Sequence, residues 1–140
     1  MTDVFTRAKR SEVMSRIRAR GNRDTELRLI LLFRKHHISG WRRDGRVFGK
    51  PDFVFPREKL AVFVDGCFWH RHPGCKFAYT PKSRLEFWQR KFDSNVTRDR
   101  IVTRELRNSG WRTLRVWECQ LHQKHWPKIA RRIVRLLKRR

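Results

Sequence analysis

Residues 60–64 read L-A-V-F-V, an unbroken apolar run in a chain where 35% of residues are charged. A strand with no polar side must be covered on both faces, so this run predicts a central strand with helices packed above and below it. Strand-like pieces precede it at Arg42 to Phe48 and at Asp52 to Phe55, where Pro51 fits only the start of its strand. Arg112 to Trp117, R-T-L-R-V-W, alternates as a strand with one polar face. Between them, Ser83-Arg84-Leu85-Glu86 reads as a capping box opening a long helix that runs to Gly110.

Trp126-Pro127 starts a last helix, with Ile129, Ile133, Leu136 and Leu137 facing inward. Ahead of the strands, Ser11 to Arg18 predicts a short helix closed by Gly21. Asp24 or Thr25 caps a second, with Leu27, Ile30 and Leu31 as its apolar stripe. No repeat, linker or low-complexity segment interrupts the chain. The expectation is one α/β domain over residues 1–140, a small mixed β-sheet flanked by helices.

Lys and Arg number 36 against 13 Asp and Glu, a formal charge of +23 spread along the whole length. Charge of that size repels itself in the compact state, which makes a polyanion the natural partner, nucleic acid before a membrane surface. No apolar run approaches the ~20 residues that span a bilayer. The start, M-T-D-V-F-T-R-A-K-R, has no apolar core of a secretory signal. Three cysteines cannot all pair within one chain, so a reducing, intracellular setting and metal or thiol chemistry are expected.

Cys67, His72 and Cys75 lie within nine residues, on a segment that Pro73 and Gly74 bend, and Cys119 follows the last predicted strand. Three thiolates and an imidazole make a closed, tetrahedral and therefore structural zinc site. His70 is the competing imidazole, and inert buried cysteines are the plainer alternative. Asp52 opens one strand and Asp65 ends the next, so the two could converge on a divalent metal, or simply form turns. In the long helix Leu85, Trp88, Phe92, Val96, Val102 and Leu106 form the apolar stripe, and Asp99 sits within it. A carboxylate there must be paired, with an arginine or as part of a site. Glu26, in the first turn of its helix, suits the helix dipole. Left free by His72, His70 beside Asp65 can act as general acid or base. Phe68 and Trp69 can project from the loop to stack on bases or wedge into a duplex, or they can pack in the core, as can Trp88.

Six blocks together resemble the very-short-patch mismatch repair endonucleases (Vsr). They are R-S-x-x-M at Arg10 to Met14, D-T-E-L at Asp24 to Leu27, G-K-P-D-F at Gly49 to Phe53 and D-G-C-F-W-H at Asp65 to His70. F-W-Q-R-K-F-x-x-N-V-x-R-D from Phe87 to Asp99 and G-W-R-x-L-x-V-W-E-C from Gly110 to Cys119 complete them. The resemblance implies a restriction-endonuclease-like fold and magnesium-dependent nicking of double-stranded DNA, 5′ of the thymine in a T:G mismatch left by deamination of 5-methylcytosine. It further implies an enzyme of the cytoplasm and nucleoid, monomeric, working alongside mismatch-repair proteins. By position it makes Asp52 the magnesium ligand together with the backbone carbonyl of Val64. His70 becomes the catalytic histidine, with Glu26 and Asp99 supporting the site. Cys67, His72, Cys75 and Cys119 become the zinc ligands, and Met14, Phe68, Trp69 and Trp88 the residues that enter the DNA. Two departures are visible. Asp65-Gly66-Cys67 lacks the acid-x-Lys pair usual for nucleases on this fold, so His70 takes that task. Two residues separate His72 from Cys75 where some members have one, which keeps His70 in competition as the zinc ligand. The alternatives are a restriction-type or mobile-element nuclease with another substrate, and a non-catalytic zinc-containing DNA-binding module.

Overall fold

A computed structural model of the chain describes residues 23–43 and 46–138. Met14 and the helix expected at residues 11–18 lie outside them. Helix α1 spans Arg23–Lys35, strand β1 Phe53–Phe55, strand β2 Leu60–Asp65, helix α2 Leu85–Asn108, strand β3 Arg112–Trp117 and helix α3 Trp126–Lys138. Two short 3-10 turns, Glu118–Leu121 and Gln123–His125, join β3 to α3.

The sheet has the order β1-β2-β3, so β2 is central, and every residue of β2 is buried. β1 pairs antiparallel with it, Phe53 opposite Val62 and Phe55 opposite Leu60. β3 pairs parallel, from Leu60 opposite Arg112 to Asp65 opposite Trp117. A parallel return needs a crossover, and α2 supplies it. The mixed sheet with helices on both sides is consistent with the restriction-endonuclease-like fold.

Alternation along β2 divides the interior. Leu60, Val62 and Val64 join Leu114 and Val116 in a layer with Leu29, Leu32, Phe33, Ile129 and Ile133, the inner faces of α1 and α3. Ala61 and Phe63 point the other way, onto Val102 and Leu106 of α2. Asp65 and Arg115 share that second side by the same period of two, which aims them at α2.

Four local expectations change. In α1 the buried apolar side chains are Leu29, Leu32 and Phe33, while Leu27 and Leu31 are about half exposed. That rotation of the helix carries Glu26 inward, to 4% exposure. The same helix starts at Arg23, so Asp24 and Thr25 fall inside its first turn rather than at its cap. The strand expected over residues 42–48 is a single bridge, Arg42 to Val54. Gly49 and Lys50 both take positive φ, and Pro51 has no N–H to extend a ladder. Finally, Ser83 caps nothing. Arg84 occupies the left-handed N-cap position of α2 with no side-chain cap bond.

Gly49 holds the turn that delivers Asp52. Its φ is +80°, and a Cβ there would sit 2.3 Å from Val102 Cγ1 on α2. Gly40 has φ +89° with open space around it. Gly40→Ala should therefore cost about 1–2 kcal/mol for the left-handed backbone alone. Gly49→Ala should cost about 2–5 kcal/mol, because overpacking adds to the backbone term. Urea melts of the two variants check this, and equal losses would rule out the Val102 contact.

Candidate active site

The candidate residues converge where β1 begins and β2 and β3 end. Val64 N–H donates to Asp52 Oδ2 at 2.7 Å. Because both polar groups of a strand residue point to the same neighbour, the Val64 carbonyl also faces the Asp52 side. On Asp52's other side is Glu26 from α1, hydrogen-bonded to it, while Arg43 Nη2 donates to Glu26 Oε2 at 2.6 Å. Burial, with the Glu26 hydrogen bond second, pushes the Asp52 carboxyl up to about 8. A carboxyl group buried against a second one holds its proton more tightly, and a bound cation can take that proton's place. A hard divalent ion suits such an oxygen donor set.

A second network lies alongside. Asp65 is 2% exposed, and its carboxylate accepts from Arg115 Nη1 at 2.8 Å. The same guanidinium donates to the Asp99 carbonyl at 3.2 Å and to Thr103 Oγ1 at 3.1 Å, and stands 3.9 Å from Asp99 Oδ1. Asp65, His70 and Asp99 place ligand-type atoms within 4.8 Å of one another, but Arg115 already compensates both carboxylates. Asp65 therefore turns to Arg115, and the carboxyl partner of Asp52 is Glu26. Removing one member of so buried a pair typically costs about 3–5 kcal/mol.

His70 Nδ1 donates to Asp99 Oδ2 at 2.6 Å, and Nε2 stands 4.0 Å from Asp65 Oδ1. Burial lowers the imidazole pKa. The Asp99 hydrogen bond and the charges of Asp65 and Asp99 outweigh it together, leaving His70 above its ordinary value. Asp99 fixes the Nδ1–H tautomer, which frees Nε2 to carry a proton. Arg43 and Arg115 had no signal in the sequence, since each is one basic residue among 36.

The four candidate zinc ligands meet on the far side of the 66–75 loop. Asp65 pairs with Trp117 where the two strands end, and Cys67 and Cys119 follow two residues later, in the turn after β2 and the 3-10 turn after β3. His72 Nδ1 lies 3.6 Å from Cys67 Sγ and 3.4 Å from Cys119 Sγ. With Cys75, the four ligand atoms fall within 4.8 Å of each other. The ring of His72 stacks on Trp117 at 4.3 Å. All three cysteines are free, and burial, with crowding by the neighbouring thiols, pushes Cys67 up to about 12. This donor set is compatible with zinc, which would displace the thiol protons. His70 stays outside the cluster.

Phe68 sits at the centre of an aromatic group, with ring centroids 5.1 Å from Trp69, 5.0 Å from Tyr79, 5.5 Å from Trp88 and 5.2 Å from Phe92. Trp88 is buried, Phe68 and Trp69 are half-buried, and Tyr79 is exposed. Arg71 lies 4.0 Å over the Phe92 ring and donates to the carbonyls of Ala78 and Tyr79, tying the segment back on itself.

Asp99→Asn should lower the His70 pKa, because it removes the charge that raises it and leaves the burial that lowers it. A histidine ring titration by NMR in metal-free buffer reads this directly, and an unchanged midpoint would disprove the coupling. Cys119→Ser should release bound zinc and lower the melting temperature together. Metal analysis of freshly purified protein checks the first half, and finding no zinc in the wild type would refute the ligand set.

The family described as DNA mismatch endonuclease Vsr matches residues 2–76. The DNA mismatch endonuclease Vsr of Escherichia coli K12 is 42% identical over 86% of this chain and 76% of its own length. The type II nicking enzyme V.XorIIP of Xanthomonas oryzae pv. oryzae is 39% identical over 86% of the chain and 88% of its own. The type II nicking enzyme V.NmeAIP of Neisseria meningitidis is 39% identical over 89% and 87%. Matches this extensive, spanning both the Asp52 turn and the His70 loop, make the chain a DNA endonuclease belonging to the Vsr family.

Proposed function

We propose that the protein nicks duplex DNA 5′ of the thymine in a T:G mismatch, in a magnesium-dependent hydrolysis. The observation that carries this reading is the position of His70, 2.6 Å from Asp99 and at the same strand ends as Asp52. That arrangement puts a proton carrier beside a buried acidic pocket in a chain of charge +23. Bound at the pocket, magnesium would polarise the scissile phosphate and lower the pKa of an attacking water. Asp52 and the Val64 carbonyl are the groups to hold it. Glu26, neutralised by Arg43, completes the acidic wall without adding a free negative charge.

His70 has the task of moving a proton at Nε2. Its pKa, raised by Asp99 and Asp65, increases the share of imidazolium over that of a free histidine, which suits donation to the leaving 3′ oxygen. Asp99 orients the ring, and Cys67, His72, Cys75 and Cys119 clamp the loop on which it rides. Phe68 and Trp69, backed by Trp88, enter the duplex beside the mismatch, with Met14 contributing from the N-terminal segment. Unstacking costs least at a mismatched pair, so a wedge of this kind selects the lesion. The enzyme works inside the cell as a monomer, alongside mismatch-repair proteins. The share of exposed aromatics and the charge support DNA as the substrate. The preference for a mismatch is in keeping with the E. coli relative's description as a mismatch endonuclease, and the T:G choice rests on the resemblance of the sequence blocks alone.

Labelled duplexes carrying T:G, another mismatch or none, incubated with magnesium, test the reading. Asp52→Ala and His70→Ala should lose nicking yet bind the T:G duplex about as well as wild type. Phe68→Ala and Trp69→Ala should each lose roughly 1–3 kcal/mol of binding to mismatched DNA, so that affinity falls toward that for the matched duplex. Nicking by Asp52→Ala, or an undiminished mismatch preference in Trp69→Ala, would remove the corresponding role.

A further inference from the structure

Beside His70 runs a groove of about 610 Å³, with Asp65 and Asp99 at its inner end and Arg100, Arg104 and Arg107 along one flank of α2. The two carboxylates are already compensated by Arg115 and His70. The three arginines of the flank are not committed in this way. All are exposed. Among the described residues the one carboxylate that Arg104 meets is its sequence neighbour Glu105, at 3.6 Å and in open solvent, where such a pair is worth little. Among the described residues no carboxylate pairs with Arg100 or Arg107.

Their spacing, i, i+4 and i+7, lines them up on a single stripe about 10 Å long. That is on the order of three phosphates of a duplex strand, at about 3.4 Å of axis each. Like charges at these spacings repel along a helix, a cost that an anion lying between them removes. Guanidinium forks match phosphate oxygens in pairs. The stripe also begins one residue after Asp99, which holds His70, so whatever lies on it is continuous with the reacting centre.

We propose that Arg100, Arg104 and Arg107 form the track for one flank of the nicked strand, gripping the phosphates that lead away from His70. This rests on the endonuclease reading above and adds the path of the strand to it. The test is a salt series on three proteins. One is the wild type. The second carries Arg100→Gln, Arg104→Gln and Arg107→Gln together. The third carries Arg131→Gln, Arg132→Gln and Arg135→Gln on α3, which packs on the opposite face of the sheet.

The groove variant should flatten the slope of log K against log salt by about 2–3, and the α3 variant should keep it. Shortening the duplex on one side of the T:G pair should abolish the difference between wild type and groove variant, while shortening the other side should preserve it. Arg→Lys at the three groove positions should restore the slope, which separates lost charge from lost folding. Equal losses in both glutamine variants, or indifference to which flank is shortened, would overturn the track. If the wild type nicks normally and the groove variant matches its slope, the track alone fails. If the wild type nicks no duplex at all, the endonuclease reading fails and the track with it.

Discussion

The parallel pairing of β2 with β3 is the interaction on which the rest depends. Its register, Asp65 opposite Trp117, fixes more than a ladder of hydrogen bonds. By ending the two strands side by side, it starts the segments that carry Cys67 and Cys119 from neighbouring points. One residue-step of alternation turns Asp65 and Arg115 to the α2 side, where Asp99 waits. A slip of one position would send Arg115 into the layer of Leu114 and Val116 and carry Cys119 away from the loop. Metal-ligand cluster and histidine network are thus two readouts of the same register.

Electrostatics inside this basic protein is local and compensated. Arg115 answers Asp65 and Asp99, Arg43 answers Glu26, and Asp99 answers His70. Among the described residues of the site, Asp52 alone has a carboxyl group and a backbone N–H for company, without a cation. In a chain with so many arginines, withholding one from Asp52 leaves the only described acidic pocket of this site able to welcome a metal ion rather than a side chain.

Much of this was readable in advance, for identifiable reasons. The L-A-V-F-V run announced a strand buried on both faces, the R-T-L-R-V-W alternation announced β3, and Pro127 marked the first turn of α3. Asp99 announced itself by breaking an apolar stripe. Where periodicity was ambiguous, the reading failed. Residues 27–33, L-R-L-I-L-L-F, offer apolar stripes on two faces, and the choice between them is made by Arg43 pulling Glu26 inward from 17 positions away. Arg115 likewise gave no sign, because its partners lie 50 and 16 positions off. Long-range ion pairs leave no local pattern.

The order of strands in the chain has a further bearing, on synthesis. β1 and β2 are neighbours in sequence and can close as a hairpin, which covers one edge of β2. The other edge waits for Arg112–Trp117, which emerges only after the whole of α2 has been made. Throughout that interval a strand apolar in all but its last residue presents unpaired N–H and C=O groups along one side, the usual invitation to pair with another chain. The segment that organises the finished enzyme is therefore also its point of greatest exposure while the polypeptide is incomplete, and the high positive charge around it, by keeping nascent chains apart, is useful before any DNA is met.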